Sequence, residues 1–229
     1  MEKKERFNVK VTAESIYRRK ALMRIAKISV IIILLFLLLL YSVLYIVHES
    51  GYFTIMVDRD SIHSLVISPY EDFRTEEVTL RAKAPDAMDN ISEMWLPVDI
   101  NYREGDNSGD DYIAYTFFLR NDSLTTVDYV ATIDIRSVTR NVDEAIRVKV
   151  YYNDDPTVYA KRAQDGNPEP GTEPFASNMR IMERKVEDFW PDAVDKYTVV
   201  IWLEGDDPEC VDDIIGGTMT MFMLLKIEE

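Results

Sequence analysis

The sequence predicts an all-β domain, a two-layer β-sandwich, preceded by one transmembrane helix. Three observations predict it. An uninterrupted apolar run lies near the start, period-two alternation fills most of the remainder, and polar turn signals recur at short spacing.

The apolar run is Ile28 to Val47, 20 residues without a charge. At about 1.5 Å per residue it matches a hydrocarbon core of about 30 Å. Within it Val30–Leu40 has no polar face, which a core helix of a soluble domain would show. A cleaved leader has a shorter run and a small-x-small cut site, and His48-Glu49-Ser50 offers no such pair. A retained anchor is therefore expected, with the lipid bilayer as the partner of residues 28–47.

Charge sets the expected orientation. Residues 1–27 carry nine Lys/Arg and three acids, while residues 48–229 carry 17 Lys/Arg and 38 acids, a net of −21. Arg18, Arg19, Lys20, Arg24 and Lys27 precede the span, and His48, Glu49 and Asp58 follow it. The positive-inside rule puts the N-terminus in the cytosol and the C-terminal domain outside the plasma membrane. Residues 13–27 read either as an inward extension of the helix, with its basic groups on anionic headgroups, or, the favoured reading, as a topology signal alone. The expected organisation is a cytosolic basic tail at 1–27, the transmembrane helix at 28–47, a short stalk at 48–53 and an extracellular domain at 54–229.

In that domain Val78, Leu80, Ala82 and Ala84 alternate with polar residues. So do Val127, Tyr129, Ala131, Ile133 and Ile135, then Ile146, Val148, Val150 and Tyr152, then Met219, Met221, Met223, Leu225 and Ile227. Alternate side chains of a strand point to opposite faces, so each set marks one buried face. Tyr112–Arg120 and Tyr197–Leu203 are apolar without alternation and are expected to be central strands covered on both sides. Turn signals fall at 103–111, 121–123, 153–156, 165–174 and 204–208. Seven to nine strands are expected. Residues 178–189 read as a short helix, while Met182–Asp188 within them also reads as a polar strand, and the two remain open.

The chemistry available is limited. Two histidines, His48 and His63, lie outside any HExxH pattern, no Gly-x-Ser-x-Gly surrounds a serine, and no glycine-rich phosphate loop is present. No enzyme and no cofactor are expected, and the acidic domain should repel nucleic acid. Calcium is the one metal to weigh. Asp106, Asp110 and Asp111 cluster in one loop, and Asp206, Asp207 and Glu209, with Asp212 and Asp213, in another. Neither has EF-hand spacing, and solubilising acidic loops are the favoured reading. The single cysteine, Cys210, is expected to be buried and inert, with an intermolecular bond as the alternative.

Tyr197–Cys210 (YTVVIWLEGDDPEC) and Asp212–Leu225 (DDIIGGTMTMFMLL) resemble the C-terminal region of the exported Gram-positive TasA and camelysin group. YIAYTFFLRNDS with VDYVATIDI, and VDEAIRVKVYYND, resemble its earlier strands. The resemblance implies a jelly-roll-like β-sandwich at the cell surface, in a family whose better-known members build biofilm fibres. Those fibre builders are released by signal peptidase and use a freed N-terminal segment to complete a neighbour's sheet. Here the retained helix holds that segment, residues 51–57. Camelysin has been described as a protease, and no motif here supplies that chemistry.

The leading functional expectation is a non-catalytic surface structural or adhesion module that binds a protein or matrix component. The alternative is a tethered accessory or sensor subunit that recruits a cytosolic partner through residues 1–27.

Overall fold

The computed structural model describes residues 9–49, 53–85 and 87–228, which fall into two compact units divided after Ser50. The first unit is a single helix, α1, Val9–Glu49. It contains the expected span from Ile28 and continues through the basic segment before it. Within α1, Tyr17–Ser42 is long and apolar enough to cross a membrane. Those 26 residues extend about 39 Å at 1.5 Å per residue. Its described large apolar side chains from Leu22 to Tyr41 are 41–68% exposed. The Ser42 hydroxyl donates to the Leu38 carbonyl at 2.9 Å, so this polar group is satisfied within the helix. Of the expected stalk, residues 50–52 lie outside the described residues.

The second unit is β throughout, with four short 3-10 turns among the described residues. Its strands are β1 Phe53–Val57, β2 Leu65–Ser68, β3 Thr79–Ala82, β4 Asn90–Ile91, β5 Gly105–Asp106, β6 Tyr112–Asn121 and β7 Val127–Val138. They continue with β8 Ile146–Tyr152, β9 Asp155–Ala160, β10 Glu173–Pro174, β11 Arg180–Phe189, β12 Val194–Glu204 and β13 Met219–Glu228. A five-stranded sheet has the order β11-β7-β13-β1-β3. An eight-stranded sheet has the order β10-β9-β8-β12-β6-β2, with β4 on β12 and β5 on β6. One apolar cluster takes its side chains from both sheets, among them Ile55, Ile133 and Met223 from the first and Phe117, Val148 and Val199 from the second. Two layers over a common core fit the expected sandwich.

The period-two readings hold where both neighbours of a strand are present. Tyr129, Ala131, Ile133 and Ile135 are buried, as are Met221, Met223 and Leu225. Val78 is 53% exposed because β3 begins one residue later. Residues 180–189 resolve the helix-or-strand ambiguity as β11, an edge strand on β7. Its charged positions suit an edge that faces water. Asn153 and Asp154, expected to end a strand, form a two-residue hairpin with φ of 48° and 72°. Left-handed backbone at both central positions favours Asn and Asp, and it matches the twist of the flanking strands. Pro156 then lies inside β9, where β10 pairs only with Tyr159 and Ala160.

The two central strands are covered on both faces, but the second cover is no strand. Residues 92–104 cross the outer face of the larger sheet as a strap. Ile100 on the strap and Ile91 beside it bury Ala114, Val200 and Trp202, with Leu96 packed alongside. Trp202 therefore points away from the inter-sheet core and is still 0% exposed.

One polar network sits between the sheets. The Tyr129 hydroxyl on β7 donates to Asp195 on β12 at 2.5 Å and lies 2.9 Å from the Tyr197 hydroxyl. Tyr152 donates to the same Asp195 oxygen at 3.2 Å, and Asn153 Nδ2 to the other at 2.7 Å. Burial, reinforced by the Asp195 charge, pushes the Tyr152 hydroxyl up to about 12, and burial does the same to Tyr115 on β6. Tyr129 and Tyr197 are pushed up as well, by burial first. A tyrosine charges by losing its proton, and these positions resist that loss. Below the ordinary value of about 10 the folded and unfolded chains are equally protonated. Above it the unfolded chain ionises first, so stability falls as pH rises toward 12. The urea midpoint is expected to be flat from about pH 8 to 9.5 and to fall steadily above 10. A midpoint unchanged to pH 12 would contradict this coupling.

Candidate functional site

The two acidic loops differ in what their carboxylates do. In the first, Asp106 Oδ2 accepts the Lys83 backbone N–H at 2.9 Å, and Oδ1 accepts the Ser108 N–H and hydroxyl at 3.1 and 2.7 Å. Asp111 Oδ1 accepts the Asp89 N–H at 3.0 Å. These side chains brace turns, as short acidic side chains commonly do. Asp110 is exposed, and the three do not converge.

In the second loop Asp206 stays exposed, while Asp207 turns inward and is 5% exposed. There it meets Arg147 of β8, whose guanidinium bonds Asp207 Oδ2 and lies 3.5 Å from Glu169 Oε2. Asp207 Oδ1 accepts the Glu209 N–H at 2.7 Å, and Glu209 Oε1 accepts the Gln164 N–H at 3.3 Å. Glu169, Asp207 and Glu209 place carboxylate oxygens within 4.8 Å of one another. The Asp207 side chain, hydrogen-bonded to Glu209, holds the Glu209 carboxyl above its ordinary value, with burial adding to the effect. Glu209 Oε2 is buried without a partner. The cluster edges a cavity of about 330 Å³ walled by Trp202, Glu204 and Thr172, where the indole N–H donates to Glu204 at 3.0 Å.

Three carboxylates with one guanidinium make a cation-attracting pocket and a strong staple between β8 and two loops. Two of the expected calcium residues, Asp207 and Glu209, come together here. Arg147 already supplies a positive charge at Asp207. Sequence reading missed Arg147 and Glu169. Arg147 looked like the wet alternate of β8, and Glu169 lies in a Gly/Pro-rich loop with no motif.

His63 is exposed on the β1–β2 loop. The side chain of His48 falls outside the described residues. Cys210 is half-buried, and its sulfur accepts from Asn90 Nδ2 at 3.4 Å.

No family model matches the chain, and no curated protein matches it. Among solved structures, it is similar to β-glucosidase from Kluyveromyces marxianus in complex with glucose, at 13% identity over 73% of this chain and 17% of that one, with a TM-score of 0.21. Selenomethionine-labelled β-glucosidase from the same organism gives 14% identity, 73% and 18% coverage and a TM-score of 0.24. The chain thus spans less than a fifth of those enzymes, and likenesses of this size carry no argument about its fold or activity.

Proposed function

We propose that the chain is a single-pass membrane protein that holds its β domain outside the cell as a non-catalytic structural or adhesion module. The observation that carries this reading is the union in one chain of the exposed apolar helix Tyr17–Ser42 and a β domain, residues 54–229, of net charge −20. The basic residues cluster at the N-terminal end of that helix, which favours a cytosolic tail.

The strand path supports a jelly-roll reading. From β3 onward the long strands alternate between the sheets at each step except the β8–β9 hairpin. That places β3, β7, β11 and β13 in one layer and β6, β8, β9 and β12 in the other, the division a jelly roll requires. The extra strand, β1, lies between β13 and β3, parallel to the first and antiparallel to the second. This path supports the resemblance to the TasA and camelysin group. It also bears on fibre formation, because a strand already paired on both sides within its own sheet is not free to complete a neighbour's. A monomer or a small lateral oligomer is the state this reading implies.

The test compares surface adhesion of cells carrying the full chain, a version without residues 2–17, and a version without residues 54–229. Adhesion to matrix-coated surfaces should survive loss of 2–17 and vanish with the β domain. An effect that follows the tail instead would favour the accessory-subunit reading and overturn this one.

A further inference from the structure

We infer that the outer face of the larger sheet carries a binding site for neutral carbohydrate, at a cavity of about 540 Å³ beside Tyr102. This deepens the proposed module reading and rests on it. The floor is Thr116 and Phe118 of β6 with Lys196 of β12, and the walls are the strap and the β8–β9 turn. That volume lies within the usual range for a small-ligand pocket.

The polar groups are fixed in place before any ligand arrives. Asp154 Oδ1 accepts from Asn101 Nδ2 at 2.8 Å and from Lys196 Nζ at 2.7 Å. These two bonds hold the Asp154 carboxyl below its ordinary value, Lys196 first. Arg103 is bonded twice to Asp99, at 3.0 and 2.8 Å. Asn101 is 5% exposed, and its Oδ1 has no donor. The cavity therefore offers donors and acceptors of both signs, with Lys196, Arg103 and Asp154 already paired. An anion would meet Glu71, Glu104 and Asp154, and a cation would meet Arg103 and Lys196. A neutral polyhydroxyl ligand meets neither penalty and can use both kinds of group.

The site also carries an aromatic ring. Tyr102 is 77% exposed, with the Lys196 ammonium 5.4 Å from its ring centroid. An exposed ring beside a polar cavity suits a sugar, whose C–H face stacks on the ring while its hydroxyls reach the polar wall. Rigid placement of the wall reduces the ordering cost of binding. Trp95 on the same strap is 74% exposed and offers a second ring to a longer chain.

The test uses the full chain in a zwitterionic detergent without a sugar headgroup. Cellohexaose, maltohexaose and chitohexaose are the neutral probes, and a galacturonate hexamer is the acidic one, each followed by titration calorimetry and saturation-transfer NMR. At least one neutral hexamer should bind. Tyr102→Ala should weaken it about tenfold, the scale of a lost aromatic contact. Trp190→Ala, at an exposed loop between β11 and β12, should leave it unchanged. No neutral binding at millimolar sugar, equal binding by Tyr102→Ala, or preference for the acidic hexamer would overturn the inference. If sugar binding fails while adhesion still follows the β domain, this inference falls and the module reading stands. If adhesion does not follow the domain, the module reading falls whatever the sugar result.

Discussion

Trp202→Ala is expected to destabilise the β domain by roughly 3–5 kcal/mol, the usual cost of deleting a large buried aromatic. The side chain is 0% exposed, yet it belongs to the smaller apolar cluster on the outer face of the larger sheet. It shares that cluster with Ile91 and Ile100, with Leu96 packed against the cluster, and its indole N–H donates to Glu204. Truncation would leave a cavity beneath the strap and remove what the strap packs against. The loss should appear in urea unfolding, together with faster proteolysis within residues 92–104. A cost under about 1 kcal/mol would mean that the strap is not packed on the sheet.

Arg147→Met is expected to cost a similar amount, roughly 3–5 kcal/mol, for a different reason. The guanidinium side chain is 6% exposed and that of Asp207 is 0% exposed. Removing the cation leaves a buried carboxylate beside Glu169 and Glu209 with no opposite charge in the cluster. Adding Asp207→Asn should recover part of the loss, because it deletes the stranded charge and keeps an oxygen for the Glu209 N–H. The two changes should therefore be non-additive in a double-mutant cycle. Additive costs would show that Arg147 and Asp207 do not act as a pair.

These two residues mark where the sequence was legible and where it was not. The run from Tyr197 to Leu203 reads as a covered strand because it leaves no wet face. What covers the outer face is not readable, since Ile91, Leu96 and Ile100 follow neither a strand nor a helix period. The β8–β9 hairpin was missed because Asn153, Asp154 and Pro156 are turn residues on either side of a strand start. β1 and β2 are too short to show alternation, and pairing with β13 and β6 fixes them instead. The Arg147–Asp207 contact joins residues 60 apart in sequence. Only the fold brings them together, and an alternating strand pattern assigns Arg147 to water.

Thiol labelling tests the proposal that α1 anchors the chain with the β domain outside. The single cysteine is first replaced, as Cys210→Ala. One reporter is Leu124→Cys, at a loop position 96% exposed in the β domain, and the other is Lys4→Cys, in the basic N-terminal segment of the sequence. Right-side-out membrane vesicles are treated with a membrane-impermeant maleimide before and after detergent. Leu124→Cys should be labelled at once and Lys4→Cys only after detergent. Immediate labelling of Lys4→Cys with Leu124→Cys protected, or recovery of the protein in the soluble fraction, would contradict the proposal.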